Sequence, residues 1–181
     1  MINFLAILTI IGQAIAFILL FFLLRRCLFK KKSPHLERWM NQYGLWLMLL
    51  VALVATGGSL YLSEVMMWAP CKLCWFQRIF IYPQVPLLLV ALWRKDKAIA
   101  PYILTLCTFG VVIAAGHYAE QVSAILFPAV VDPNVPCDAS GVSCAKTYIL
   151  NFGYISIPLM AFTALLMNLL TSIFLLETKE K

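Results

Sequence analysis

The chain has 181 residues, 63% of them hydrophobic and 12% charged, with mean hydropathy +0.91 and a formal net charge of +6. A soluble domain carries about twice that charged fraction, so the composition excludes an ordinary soluble enzyme and indicates one polytopic membrane domain. The basic residues form no aromatic-interleaved patch, which argues against a nucleic-acid partner; in a membrane protein they report topology first.

A bilayer core needs about 20 apolar residues per helix. Residues 2–24 meet that with no charge, and basic residues follow rather than precede them, unlike a secretory signal. Further spans are predicted over 43–62, from about 74 to 93, and over about 101–122. The last apolar run, 149–176, is longer than one span needs, and its helix is expected from about Gly153. Pro83, Pro86 and Pro158 are expected to kink the third and fifth spans and expose a cleft. The long connection 123–148 carries Pro128, Pro133, Pro136 and Gly141 and reads as a loop. Its start, 122–131, is apolar enough to lie along the membrane surface.

Five spans put the termini on opposite sides. Arg25, Arg26, Lys30, Lys31, Lys32 and Arg38 follow the first span; Arg94, Lys95 and Lys97 follow the third; Lys179 and Lys181 close the tail. Only Lys72, Arg78 and Lys146 remain for the other side. The positive-inside preference therefore sets the N-terminus outside and the C-terminus in the cytoplasm. Cys71, Cys74, Cys137 and Cys144 then fall on the outer side, where disulfides persist. That sorting uses Lys and Arg alone, so it is independent of the cysteines. Cys27 and Cys107 have no evident partner and read as small apolar fillers.

Cys71-Lys72-Leu73-Cys74, preceded by Pro70, is a C-x-x-C at the outer mouth of the third span. A helix start offers unpaired N–H groups and a positive dipole end, both of which stabilise a thiolate. Arg78 lies one turn beyond Cys74 on the same helical face. A guanidinium at that depth is costly and points to function: it can stabilise the Cys74 thiolate, or hydrogen-bond a quinone carbonyl and favour the reduced form. The competing account is an arginine snorkelling to head groups. Cys137 and Cys144 form a C-x6-C in the long outer loop, suited to exchange with a soluble partner or, alternatively, to a static staple. His117, Glu120 and Gln121 share a face near the outer end of the fourth span and could supply protons or hydrogen bonds to a quinone near Cys74; a polar helix end meeting head groups is the plainer account. Tyr82 could pack on a quinone ring, or be core. The remaining Trp and Tyr read mostly as aromatic belt.

Three stretches together resemble the DsbB family of bacterial disulfide-bond formation proteins, and more closely its BdbC branch. They are Pro70-Cys71-Lys72-Leu73-Cys74-Trp75-Phe76-Gln77-Arg78, the Pro136-Cys137…Cys144 loop, and Gly153-Tyr154-Ile155-Ser156-Ile157-Pro158-Leu159-Met160. The resemblance covers roughly 43–176. It implies an all-α integral membrane fold: a four-helix transmembrane bundle over 43–181, preceded by an extra helix and basic segment over 1–42. It also implies a quinone, ubiquinone or menaquinone, held beside the first pair by Cys74 and Arg78, with His117 as a further candidate. The implied partner is a soluble extracytoplasmic thioredoxin-fold disulfide oxidase of the DsbA/BdbD kind, and the implied location the bacterial cytoplasmic membrane. In that scheme Cys137 forms the mixed disulfide with the partner, Cys144 resolves it, and the Cys71–Cys74 disulfide reoxidises the loop pair through Cys71. Two departures are the extra first span and the short loop spacing.

Competing functions are a vitamin K epoxide reductase-like enzyme and a membrane scaffold with structural disulfides or a four-cysteine zinc clip. In the former the loop pair precedes the C-x-x-C, the reverse of the order here. Zinc suits a reducing compartment better, so no metal site is expected. The topology is tested by a reporter fused to the N-terminus: it should be active outside the cytoplasm, and cytoplasmic activity would reverse the assignment.

Overall fold

The computed structural model describes residues 1–29, 33–127, 134–137 and 141–179. Lys30, Lys31, Lys32 and Lys181 of the basic count, and Pro128 and Pro133 with most of the segment expected along the membrane surface, lie outside the described residues. The chain forms α1 (Ile2–Phe29), α2 (Pro34–Leu60) with a π-helical turn (Tyr61–Val65), α3 (Lys72–Ile81), α4 (Gln84–Arg94), α5 (Ala100–Leu126) and α6 (Ile157–Lys179). Among the described residues, five segments are long and apolar enough to cross a membrane: α1, α2 with its π turn, α3 with α4, α5 with the short turn before it, and α6. The five expected spans are therefore present; the first four helical segments extend beyond the apolar stretch expected for each, whereas α6 begins after the start of the last apolar run.

The third span is interrupted. Pro83 and Pro86 lack N–H groups, so the ladder fails locally and Val85 bonds to the Tyr82 carbonyl in a tighter turn. The side-chain amide of Gln84 takes over the Phe80 carbonyl at 2.8 Å. A freed backbone group in hydrocarbon is thereby satisfied by a neighbouring side chain. Pro158 does not kink the fifth span as expected. It sits in the first turn of α6, where its missing N–H has no ladder partner to lose. The helix does not start near Gly153 either: Phe152 and Gly153 have φ of 53° and 78°, and a bridge between Asn151 and Ile155 closes a turn before α6.

α6 is the centre of the bundle, packed against α5, α2 and α1, and half of its membrane window is buried against 22–28% for the other spans. Membrane helices gain little from burying apolar surface against each other, so close backbone approach and buried polar bonds hold them. Both occur here. Gly110 of α5 lets the Leu165 side chain of α6 in; a Cβ there would stand 2.8 Å from it. α1 presents Ala6, Thr9, Gly12, Ala16 and Leu19 at helical spacing, and Gly12 admits Met167 and Thr163 of α6. The Asn168 amide of α6 donates to the Met48 carbonyl of α2 and to Gln84 Oε1 of α4, at 3.2 and 2.8 Å. At one end of the bundle, Arg26 of α1 pairs with Glu37 of α2 and Glu177 of α6, both at 3.0 Å.

Of the two cysteines expected as fillers, Cys107 is buried against the Gln84 amide. Cys27 is exposed at the end of α1, because the α1 face that meets the bundle runs through other positions. Gly110→Val should lower stability by about 1–3 kcal/mol through overpacking of Leu165 and Phe80. A lower thermal midpoint in detergent checks this; an unchanged midpoint would show that α5 and α6 can separate without loss.

Candidate functional site

At the end of the bundle opposite Arg26, the chain brings both cysteine pairs together. Pro70 and the extended backbone of Cys71 end the approach to α3, and Cys71 is the residue that caps it: its sulfur accepts the Cys74 N–H at 3.3 Å. Cys74 lies on the first turn, and the two sulfurs are 3.0 Å apart in a sulfur–sulfur hydrogen bond. The C-x-x-C spacing thus places one sulfur at the positive end of the helix dipole and the second one turn in, within reach of the first.

Cys71 is buried, with 3% of its surface exposed, and faces His117 of α5. His117, 1% exposed, makes three contacts. Its Nε2 is 3.0 Å from the Cys144 carbonyl and 3.7 Å from Cys71 Sγ, and its Nδ1 is 2.9 Å from the Gln77 amide nitrogen. The Cys144 carbonyl can only accept, so Nε2 carries the hydrogen, shared with the Cys71 sulfur, and Nδ1 accepts from the Gln77 amide nitrogen; the tautomer is assigned from this network. The sulfur–sulfur hydrogen bond with Cys74 outweighs burial and, with His117 and the Cys74 N–H adding to it, holds the Cys71 thiol down at about 4.

The long loop is tied to α5 by the same helix face. Gln121 donates to the Lys146 carbonyl at 3.1 Å, one turn beyond His117 and its bond to Cys144. Cys137 and Cys144 are joined by a disulfide, closed by a backbone bond from Cys137 to Val142. Cys144 is 2% exposed, whereas Cys137 is half-buried. The loop disulfide therefore has its more exposed end at Cys137, and at its buried end the Cys144 carbonyl meets His117, which in turn meets Cys71. Glu120 is half-exposed beside this face and takes no part in it.

On the other side of α3 lies a cavity of about 290 Å³ between α1, α2, α3 and α6. Cys74, Gln77 and Arg78 line its polar end, and the rest of the wall is almost wholly apolar. Arg78 is turned into the bundle. Its Nε donates to Ser59 Oγ at 3.1 Å and its Nη2 to the Ser59 carbonyl at 3.3 Å, and the guanidinium lies 5.1 Å from the Trp75 ring and 5.8 Å from that of Tyr82. Tyr82 donates to the same Ser59 hydroxyl at 3.0 Å, so it braces the arginine rather than facing the cavity. Nη1 of Arg78 has no partner among the described residues. Trp68 and Tyr148 stack at 5.3 Å over the mouth.

Of the residues singled out in the sequence, Cys74 and Arg78 line the cavity and His117 does not; His117 stands between Cys71 and Cys144. Sequence reasoning missed Gln77, Ser59, Trp68 and Tyr148. Ser59 carried a signal, since a buried arginine needs a partner and a serine in a neighbouring span can supply one. Trp68 and Tyr148 carried none, being far apart in sequence. Cys71, Cys74 and His117 also lie close enough to hold a metal ion, their ligand atoms within 4.8 Å of one another. A four-cysteine zinc clip is not formed, because Cys137 and Cys144 are bonded to each other.

The family model described as "Disulfide bond formation protein DsbB" matches residues 41–175. The chain is 40% identical over 125 residues to "Disulfide bond formation protein C" of Bacillus subtilis, covering 69% of this chain and 84% of that one. It is 37% identical over 139 residues to "Probable disulfide formation protein C 1" of Bacillus cereus, covering 77% and 96%. A relative from Coxiella burnetii, "Probable disulfide formation protein", is 35% identical over 140 residues, covering 77% and 90%. No solved structure gives a significant match.

The thiolate of reduced Cys71 should persist from neutral pH downward and be lost only as pH falls through about 4, rather than near the ordinary ~8.5. The ultraviolet thiolate absorbance that Cys71→Ser removes reports it. His117→Asn should move that midpoint up by about one unit or more; an unmoved midpoint would show that His117 does not act on the sulfur.

Proposed function

The chain belongs to the DsbB family of membrane disulfide bond formation proteins, and we propose that it takes electrons from a soluble extracytoplasmic thioredoxin-fold dithiol oxidase and passes them to a membrane quinone. One observation carries this reading: the first cysteine pair stands between the loop pair and an apolar cavity. Cys71 meets His117, which holds Cys144, and Cys74 lines the cavity with Arg78. On this reading residues 43–181 are the redox bundle, residues 1–42 are an added N-terminal helix and basic segment, and the cysteine end faces outward.

The steps balance as four thiol–disulfide exchanges. A partner thiolate attacks Cys137, the more accessible sulfur of the loop disulfide, and Cys144 leaves as thiolate. Cys144 attacks Cys71 of the Cys71–Cys74 disulfide, and Cys74 leaves as thiolate. The partner's second thiolate closes its own disulfide and releases Cys137. Cys137 then attacks Cys144 and releases Cys71. The partner ends oxidised, the loop disulfide is restored, and Cys71 and Cys74 hold two electrons. His117 serves the second step, because its Nε2–H is aimed at both the Cys144 backbone and the Cys71 sulfur and so stabilises the charge moving between them.

The residues around the cavity fit a quinone. One end offers a free guanidinium N–H of Arg78 and a cysteine sulfur, and the rest is apolar, matching a carbonyl-bearing ring with an isoprenoid chain. Such a cofactor supplies, when bound, a two-electron, two-proton acceptor. Arg78, fixed by Ser59 and by the Trp75 and Tyr82 rings, orients a carbonyl and stabilises negative charge near Cys74. Gln77 reaches both the cavity and His117, and so links the cavity to the one imidazole at this site.

Quinone reduction by the purified protein, followed by absorbance after a reduced thioredoxin-fold dithiol protein is added, tests the scheme. Stoichiometric quinol formation is expected, abolished in Cys74→Ser and in Cys137→Ser. Arg78→Gln should raise the KM for quinone about tenfold or more, as expected for loss of a charge-assisted hydrogen bond. Failure to reduce any quinone, or normal turnover in Cys74→Ser, would return the chain to a scaffold with structural disulfides.

A further inference from the structure

α1 has no counterpart in the matched part of the family. The family model begins at residue 41, and the Bacillus cereus relative is matched over 96% of its length by 139 residues. What that relative keeps outside the match is far shorter than the ~20 residues a span needs. Yet α1 is not peripheral to the cavity. Leu5, Leu8, Ile11 and Ile15 line it along one side. Leu5 of α1 sits against Gly58 of α2, where a Cβ would come within 3.2 Å of it, and Gly58 precedes the Ser59 that holds Arg78. Further along, Gly12 meets Met167 and Thr163 of α6. α1 thus bridges α2 and α6 across the cavity.

The cavity is also longer than a ring needs. Its wall on α2 and the π-helical turn that follows runs from Leu47 to Ser63, which spans about 24 Å at ~1.5 Å per residue. The end near Cys74, Gln77, Arg78, Ser59 and Ser63 is polar; the remainder is lined by Leu8, Ile15, Leu47, Val51 and Met167 among others, and its two threonines, Thr9 and Thr163, bond back to carbonyls of their own helices. A long, apolar extension continuous with the polar end has the shape and chemistry of a chain of isoprene units attached to the ring.

We propose that α1 is the wall of the quinone's tail channel, with Leu8 and Ile11 in contact with the isoprenoid chain, closing a groove that α2 and α6 alone would leave open to lipid. This rests on the quinone reading above. It makes α1 a determinant of which quinones the protein retains: long-tailed ones gain contact along α1, and tail-less ones do not.

The test uses the full chain in lipid nanodiscs. A quinone with a photoreactive azide near the end of its tail is irradiated in place, and the labelled peptides are identified by mass spectrometry. Label is expected on α1 between Leu5 and Ile15, competed by unlabelled long-tailed quinone and not by added phospholipid. Leu8→Trp should cut that label, lower the quinone that co-purifies, and raise the KM for a long-tailed quinone about tenfold, the equivalent of losing burial of roughly two methylenes. The KM for a tail-less quinone should stay unchanged. Ile11→Trp, at a position already half exposed, should act in the same direction and guards against misfolding of the first variant. Label absent from α1, label competed equally by phospholipid, or equal effects on tailed and tail-less quinones would overturn the proposal while wild-type quinone reduction stood. A wild type that neither reduces nor retains quinone would overturn both.

Discussion

The arrangement depends on one buried imidazole. His117 touches a sulfur of the first pair, the backbone of the second, and the amide that fixes its own tautomer. Without it the loop would lose its bond to α5 at Cys144, and Cys71 would lose a neighbour that favours its thiolate. Gln121, one turn further on, repeats the loop contact at Lys146, so a single helix face positions the second pair against the first. The loop segment around Cys144 and Lys146 is thereby aimed by two side chains on a rigid helix.

The membrane sets the terms for the rest. Three polar side chains within the spans bond across helices: Asn168 reaches Met48 and Gln84, Gln84 reaches Phe80, and Arg78 reaches Ser59. These bonds join α2, α3, α4 and α6 and let two prolines interrupt the third span without leaving the Phe80 carbonyl bare in hydrocarbon. Small residues supply the other half of the packing, with Gly110 and Gly12 bringing α5 and α1 onto α6. The same close approach leaves a cavity where α1, α2, α3 and α6 do not meet.

Much of this was legible in the sequence, for identifiable reasons. Spans follow from apolar length, a local property, and five were found. The placing of Cys71, Cys74 and Arg78 on one side of α3 was legible because they lie within one or two turns of a single helix, where spacing fixes geometry. The start of α6 was not, because an apolar run does not distinguish a turn at Phe152 and Gly153 from a helix. The contacts of His117 were not either. Its position on the face with Gln121 could be read, but what faces it depends on where a distant loop returns. Trp68 with Tyr148, and α1 with the cavity, are likewise products of assembly between segments far apart in the chain.

The central place of α6 has a consequence for biosynthesis. The helix that most of the bundle packs against is made after the helices it packs against. Until it enters the membrane, Gln84 and Arg26 lack their partners Asn168 and Glu177, and the small-residue face of α1 has nothing to close on. Before that the earlier helices form an open set, in which Arg26 has only Glu37 and the Gln84 amide only the Phe80 carbonyl and Cys107. A chain that stops before α6 lacks the cavity wall that Met160, Ala164 and Met167 complete.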